Sequence, residues 1–500
     1  MLSLAVAVTA APAIVTAQTP PTAAARSTAR ALPVSRDTVR LELTDAIARA
    51  VGQSEEVRLA RSQVDLADAQ VTAARSAALP QIDGNVSYTR TFDSPFNTGG
   101  FTLPDSLTFE PDTTVSLAER VRYLERRAPG AGLSGLSTLF GNLPFGQANS
   151  YVVSGSVSQP VYSGGRVGAG LAIAREYLDA SRLGLGESLA DIELQVQNAY
   201  FRALLAAELE GISRAAVAQA ESFLKQERLR LEAGEASDLD AMRAEVELEN
   251  LRPQLVQAQN AASLALLNLK RLVDIPLQQP VVLTTALTAP ASDELADREV
   301  DAQMMLAQRG SVQVAQRQVE IRRQQVRVAR GALLPSVSLS MNYGRQIFPS
   351  DAFRLSGQEW RTDWNASVNV SVPIFSGFRR QAEIDQARIT LDQERLRLGQ
   401  LRESVQLELE QARGERQRAA ATIAARQRTV AQAQRVHDLT VLRYEQGLAT
   451  QLEVSDARLA LLQARTNLAQ AISDFRIADA TLTRSLGGSS RAQAESRRTR

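Results

Sequence analysis

Ser76-Ala77-Ala78-Leu79-Pro80-Gln81-Ile82 is answered by Gly331-Ala332-Leu333-Leu334-Pro335-Ser336-Val337, and Pro160-Val161-Tyr162-Ser163-Gly164 by Pro373-Ile374-Phe375-Ser376-Gly377. A third match sets Arg230-Leu231-Glu232-Ala233-Gly234 against Arg443-Tyr444-Glu445-Gln446-Gly447. From Pro160 to Gly234 is 74 residues, and from Pro373 to Gly447 is 74 again. The chain is therefore two copies of one plan. From Pro80 to Pro160 is 80 residues, but from Pro335 to Pro373 only 38, so the first copy carries an insertion.

Each copy reads helix, strand, strand, long helix, turn, helix. Leu-Pro pairs end the first helices at Pro80 and Pro335, because the residue before proline is pushed to extended backbone. Strands are expected at about 81–91, 150–162, 336–346 and 363–375. They alternate with period two: Val337, Leu339, Met341 and Tyr343 interleave with Ser336, Ser338, Ser340 and Asn342. Val368 and Val370 likewise interleave with Asn369 and Ser371, and Ile82 and Val86 with Asp83 and Asn85. Small uncharged polar residues opposite Val, Leu and Tyr suit a barrel with lipid outside and water inside. The strand lengths are those of a tilted bilayer crossing. A soluble hairpin pair packed on helices is the alternative.

Arg166–Leu231 and Arg379–Tyr444 contain no proline, and each spans about 100 Å as a helix. Such helices serve reach rather than a compact core. The helices after the turns carry matching apolar seams, Leu248-Leu251-Leu255 onward and Leu461-Ala464-Leu468 onward, 213 residues apart. A second stripe in the later copy, Leu452-Leu459-Leu462, asks for a neighbour on another side. That favours a ring of helices over a soluble coiled-coil rod. Pro253 is expected to kink its helix. Gly164 and Gly377 restart helices after strands, and Gly234 and Gly447 make the helix–helix turns.

Composition narrows the function. The 500 residues carry 56 Lys+Arg and 55 Asp+Glu, a net charge of +1, which argues against nucleic acid as a partner. Zero Cys and one His, His437, remove thiol nucleophiles, thiolate metal sites and multi-His metal sites. His437 reads as a surface or packing residue. No catalytic constellation, cofactor site or metal site is expected, and no P-loop motif is present. Residues 1–17 read as a secretory signal peptide, with a membrane anchor as the alternative. Residues 18–40 read as a linker, 41–272 as the first repeat, 273–297 as an inter-repeat linker, 298–486 as the second repeat and 487–500 as a disordered tail. The insertion covers 94–149, with a helix expected from Val115 to Arg127. It reads as an external lid or a surface loop.

Over about residues 40–486 the chain resembles the TolC-like outer-membrane efflux factor family. The carriers are the Leu-Pro joints, the Pro-Val-Tyr-Ser-Gly and Pro-Ile-Phe-Ser-Gly joints, and the stretch from Arg443 through Gly447 to Val454. The resemblance implies a mainly α protein with a small transmembrane barrel portion. It implies a homotrimer with four strands per chain in a 12-stranded barrel in outer-membrane lipid, and a periplasmic α-barrel tapering at the glycine turns. It implies a passive exit duct for efflux or type I secretion, joined to a periplasmic adaptor and an inner-membrane transporter. The turns at Gly234, Gly447, Leu448 and Thr450 would face the adaptor. By the same resemblance Tyr444 matches a gate tyrosine, and Glu453 and Asp456 match two carboxylates lining the constriction. Asp240 matches Glu453 in the first copy. The arginine expected two residues after Gly447 is Ala449. Threefold rings of Glu453 and Asp456 would favour cations; the alternative is solvated carboxylates at a helix start. A soluble periplasmic scaffold or adaptor without a pore is the rival function.

Overall fold

The computed structural model describes residues 38–92, 112–126, 148–291, 294–295, 309–349, 352 and 359–487. The expected signal peptide, most of the insertion and nearly all of the tail lie outside the described residues. In chain order the elements are β1 (Val39–Leu41), α1 (Leu43–Gln53), α2 (Glu55–Ser76), β2 (Gln81–Arg90), β3 (Asn149–Tyr162), α3 (Arg166–Glu232) and α4 (Asp238–Leu272). Then follow β4 (Val281–Leu283), α5 (Gly310–Gly331), β5 (Ser336–Ile347), β6 (Arg361–Ser371), α6 (Arg379–Glu445) and α7 (Gln451–Ser485). Within the insertion, residues 117–126 are helical.

The repeat is exact in its long parts: α3 and α6 are each 67 residues, and α4 and α7 each 35. Both turns are built alike. Gly234 and Gly447 sit at φ +73° and +74°. Glu235 N–H reaches back to the Arg230 carbonyl at 2.8 Å, and Leu448 N–H to that of Arg443 at 2.8 Å, which closes the last helical turn. The next helix then opens on a capping box, Ser237 with Asp240 and Thr450 with Glu453. α4 runs through Pro253 unbroken. The proline lies on an exposed face, where solvent can serve the carbonyl it leaves unbonded.

Four strands form one antiparallel sheet in the order β2-β3-β5-β6. One face carries Ile82, Val86, Val157, Met341 and Val368. The other carries Asn85, Ser154, Ser340, Asn365 and Ser367. On the polar face Ser340 and Ser367 share a hydrogen bond of 2.7 Å, and Asn342 donates to Asn365 at 3.1 Å. On the apolar face Trp364 and Val368 are each 67% exposed. Among the described residues β2 and β6 each have one neighbour, so both sheet edges are open. β6 spans 361–371 rather than the expected 363–375. It stops before Pro373, which has no N–H to give, where no strand lies alongside.

Four helices pack on α3 besides its hairpin partner α4: α1, α2, α5 and α7. The main core lies partway along, where Tyr200, fully buried, donates to the Leu41 carbonyl at 3.0 Å and shares a hydrogen bond of 2.9 Å with the Thr285 hydroxyl. This pins β1, which pairs in parallel with β4. Residues 39–40, expected as linker, thus belong to a two-stranded ribbon that ties the N-terminal side to the inter-repeat segment. Buried arginines tie the helices nearby: Arg484 of α7 joins the repeats by donating to Asp191 of α3 at 2.7 Å, and within the second repeat Arg309, the residue before α5, donates to Glu408 of α6 at 3.0 Å.

Candidate functional site

At the turn end the two hairpins of one chain are clasped by side chains. Tyr444 of α6 donates its hydroxyl to Glu227 of α3 at 2.9 Å. Glu227 is only 1% exposed and has Arg230 3.5 Å away. The Arg230 guanidinium lies 5.0 Å over the Tyr444 ring, so one arginine serves both partners. A carboxylate buried this deeply is costly without such partners. Burial, then the Glu227 hydrogen bond and charge, push the Tyr444 phenol up to about 12. The hydroxyl is therefore a donor throughout the ordinary pH range.

A second clasp lies further from the turns. Glu247 of α4 accepts from Ser455 and Arg458 of α7, each at 3.0 Å, and Arg458 stacks 4.6 Å over the Phe223 ring. Phe223 in turn contacts the Tyr444 ring at 6.0 Å between centroids. Gln451 adds a bond of 2.8 Å to the Asp240 carbonyl. All four helices of the two hairpins are thus linked.

The sequence-expected gate residues are only partly brought together. Tyr444 is in the clasp, but its partner is Glu227 rather than Asp240, Glu453 or Asp456. Asp240 accepts from the Ser237 hydroxyl at 2.6 Å, and Glu453 from the Thr450 N–H at 2.6 Å; each caps its own helix. The Thr450 backbone N–H and hydroxyl hold the Glu453 carboxyl below its ordinary range. Asp456 is exposed on α7. Gly234, Gly447 and Leu448 project at the exposed tips, Leu448 at 64% exposure. Beside them a groove of about 360 Å³ between α4 and α7 is lined by Val246, Leu251, Leu452 and Leu459, with Arg243 and Arg458 among its polar groups.

Glu227 was not among the sequence candidates, yet it leaves a signal. Val217, Ala220 and Leu224 form a buried stripe at helical spacing, and the next position of that stripe is Glu227. A carboxylate continuing an apolar seam asks for a partner. Among the described residues no group of three or more His, Cys, Asp or Glu is arranged to hold a metal.

At the opposite end, Gly164 and Gly377 follow the strands with left-handed backbone, φ +65° and +60°. A Cβ on Gly164 would lie 2.3 Å from the Gly331 carbonyl oxygen, so the Pro160 joint rests on the end of α5, just before Pro335. Gly377, after Pro373, meets nothing within 4 Å. Pro80 leads into the open edge strand β2.

Among the described residues no helix is long and apolar enough to cross a membrane. A sheet with one apolar face, running into paired helices of this length, is a fold shared with solved structures. The solved CusC channel has it, with a TM-score of 0.69 at 21% identity over 90% of this chain and 94% of that one. So does the open-state MtrE channel of Neisseria gonorrhoeae, with a TM-score of 0.69 at 18% identity over 89% of each chain. Residues 125–273 and 302–488 match the outer membrane efflux protein family. The chain belongs to that family, and its location is the outer membrane. Relatives include the protein CyaE of Bordetella pertussis, 26% identical over 56% of this chain, and the pyoverdine export protein OpmQ of Pseudomonas aeruginosa, 27% identical over 59%. The matched stretches span 57% and 60% of those two relatives. The alkaline protease secretion protein AprF of Pseudomonas aeruginosa is 26% identical over 67% of this chain and 69% of its own length.

Proposed function

We propose that three copies form a passive exit duct across the outer membrane and into the periplasm. The observation that carries this reading is the sheet, apolar and exposed on one face, polar on the other, with no neighbour on either edge. Such a sheet is satisfied in lipid only by closing on itself. Four strands are too few. Eight give an interior that side chains fill, and twelve leave a lumen, so three copies is the smallest number that conducts. The Ser and Asn face then lines water, and α3, α4, α6 and α7 continue the tube.

The turn end is the gate. The Tyr444–Glu227 clasp holds the hairpins of each copy together, and the exposed Leu448, Val246, Leu452 and Leu459 present apolar surface to a periplasmic adaptor. The adaptor couples the duct to an inner-membrane efflux or secretion transporter, which supplies the energy. Glu453 and Asp456 stand on the helices that converge there, and their rings give the closed end a preference for cations. The soluble-scaffold reading leaves Trp364, Val368 and Val370 in water with nothing to cover them.

Purified from outer membranes in detergent, the protein is expected to have a detergent-corrected mass of three chains and to open channels in planar bilayers. A water-soluble monomer, or a protein that carbonate strips from membranes, would end this reading. Glu453→Gln combined with Asp456→Asn is expected to abolish cation preference; an unchanged reversal potential rejects the ring assignment alone.

A further inference from the structure

Both hairpins of the sheet have the same register. β2 and β3 set Gln81 opposite Ser158, and β5 and β6 set Ser336 opposite Ser371. Those are the repeat offsets themselves, since Pro80 answers Pro335 and Pro160 answers Pro373. Between the hairpins lies a third junction, β3 on β5. It sets Ser158 opposite Ser340 and Val157 opposite Met341, then crosses a bulge to put Tyr162 opposite Val337. Its counterpart would join β6 to β2, and within one chain these stand at opposite edges.

We propose that β6 of one copy pairs antiparallel with β2 of the next in the register carried over from the β3–β5 junction. Ser371 then stands opposite Asn85, Val370 opposite Val86, Asn369 opposite Ser87, and Phe375 opposite Ile82 across the same bulge. The inference rests on the ring assembly proposed above and fixes how its seam is made.

Two observations support it, and a third shows where the two seams differ. The first is side-chain parity, which the transfer did not use. Val370 meets Val86 on the apolar face, and Asn369 meets Ser87 on the polar face; a slip of one residue would set apolar against polar along the whole seam. The second is the early end of β6. β3 continues to Tyr162 because β5 lies beside it, whereas the matching residues of the second repeat have no neighbour, leaving Ile374 95% and Phe375 76% exposed. Ile82, the proposed partner of Phe375, is 76% exposed on the opposite edge. The third is the joint. Gly377 keeps the left-handed backbone of Gly164 but lacks the contact that Gly164 makes with Gly331. The residue answering Gly331 is Ser76, at the end of α2, five residues before β2. Ser76 carries a Cβ where Gly331 has none, so the seam between copies closes less tightly at this joint than the one inside the chain.

The chain has no Cys, so any disulfide comes from introduced residues. Full-length Val86→Cys/Val370→Cys and Ser87→Cys/Asn369→Cys are oxidised in outer membranes and run on denaturing, non-reducing gels. Successive antiparallel pairs alternate between wide and narrow, so one of the two is the narrow site that suits a disulfide. Covalent dimers and trimers that collapse to monomer with reductant are expected from at least one. Ser87→Cys/Ser367→Cys and Tyr88→Cys/Val370→Cys, two residues out of register, are expected to cross-link roughly tenfold less, because diagonal neighbours lie about 7–8 Å apart. Out-of-register pairs that link better, in particles that keep the mass of three chains, would overturn the register and leave the ring standing. A monomeric mass for the unsubstituted protein would take down the ring itself. Should the cysteine variants fail to assemble, a photoreactive benzoyl-phenylalanine at Phe375 is expected to label the peptide containing Ile82 of a neighbouring chain. Labelling elsewhere would overturn the register.

Discussion

The two ends of this molecule are held by different forces. At the sheet end the links are backbone hydrogen bonds, and among the described residues both sheet edges are left open. At the turn end the links are side chains, and the two clasps described join the hairpins of a single chain. A backbone ladder is cooperative and has no intermediate. A clasp of one phenol, two carboxylates and two arginines loosens bond by bond. On the proposed reading, the sheet end is the fixed part of the duct and the turn end the part that moves.

The sharpest way to break that contrast is to substitute neighbours on one strand. Val368→Lys places a charge on the lipid side and is expected to cost about 2–4 kcal/mol near the bilayer midplane. Most of the assembled oligomer should be lost on gels and in urea unfolding in micelles. Ser367→Lys, on the other face, is expected to assemble normally and shift ion selectivity. Equal damage from both would mean that the faces are wrongly assigned. At the turn end, Tyr444→Phe keeps the ring and removes the donor to Glu227. The expected loss is about 1–2 kcal/mol, a charged hydrogen bond discounted for the half-exposed phenol. In planar bilayers this reads as an open fraction raised roughly five- to thirty-fold, with the mass of the assembly unchanged.

Gly447→Ala comes next. The added methyl meets nothing within 4 Å, so the change is one of backbone alone at φ +74°, expected to destabilise by about 1 kcal/mol in thermal unfolding. The smallest effects are those of pH. Tyr444 has a raised folded-state pKa, so its contribution is complete below the ordinary tyrosine value of about 10 and fades as pH climbs toward 12. Glu453 has a lowered one, so its cap is intact above the ordinary glutamate value of about 4.3 and weakens as pH falls below it. Glu453→Gln should flatten the acid-side change in helix content, and Tyr444→Phe the alkaline-side change in conductance.

Much of the fold was legible because it is written twice. Proline, glycine and period-two alternation at fixed offsets located the four strands, both 67-residue helices and both turns to within a few residues. The end of β6 was misjudged because alternation continues through Val372 and Ile374, while strand structure there depends on a neighbour that the chain does not contain. The β1–β4 ribbon was partly hidden because its strands are three residues long and lie more than two hundred residues apart. At the turn end, Tyr444 stood out through its place before Gly447. Glu227 did not, because Arg230, one turn on, already accounts for it as a helix-surface ion pair. Its real partner lies 217 residues away and is set by how the hairpins pack. Glu453 and Asp240 show the reverse, since their spacing from Thr450 and Ser237 is equally the spacing of a helix cap.

The open edges of the sheet also bear on biogenesis. A strand edge with unmet donors and acceptors is a template for any extended polypeptide it encounters. A newly exported protomer carries two of them, flanking an oily surface. On the proposed assembly, folding, insertion and oligomer formation are a single event, and a lone subunit is a hazard to be escorted or degraded rather than a reservoir. Cells with a weakened seam should consequently accumulate proteolytic fragments and an envelope-stress response, and not a pool of idle monomers.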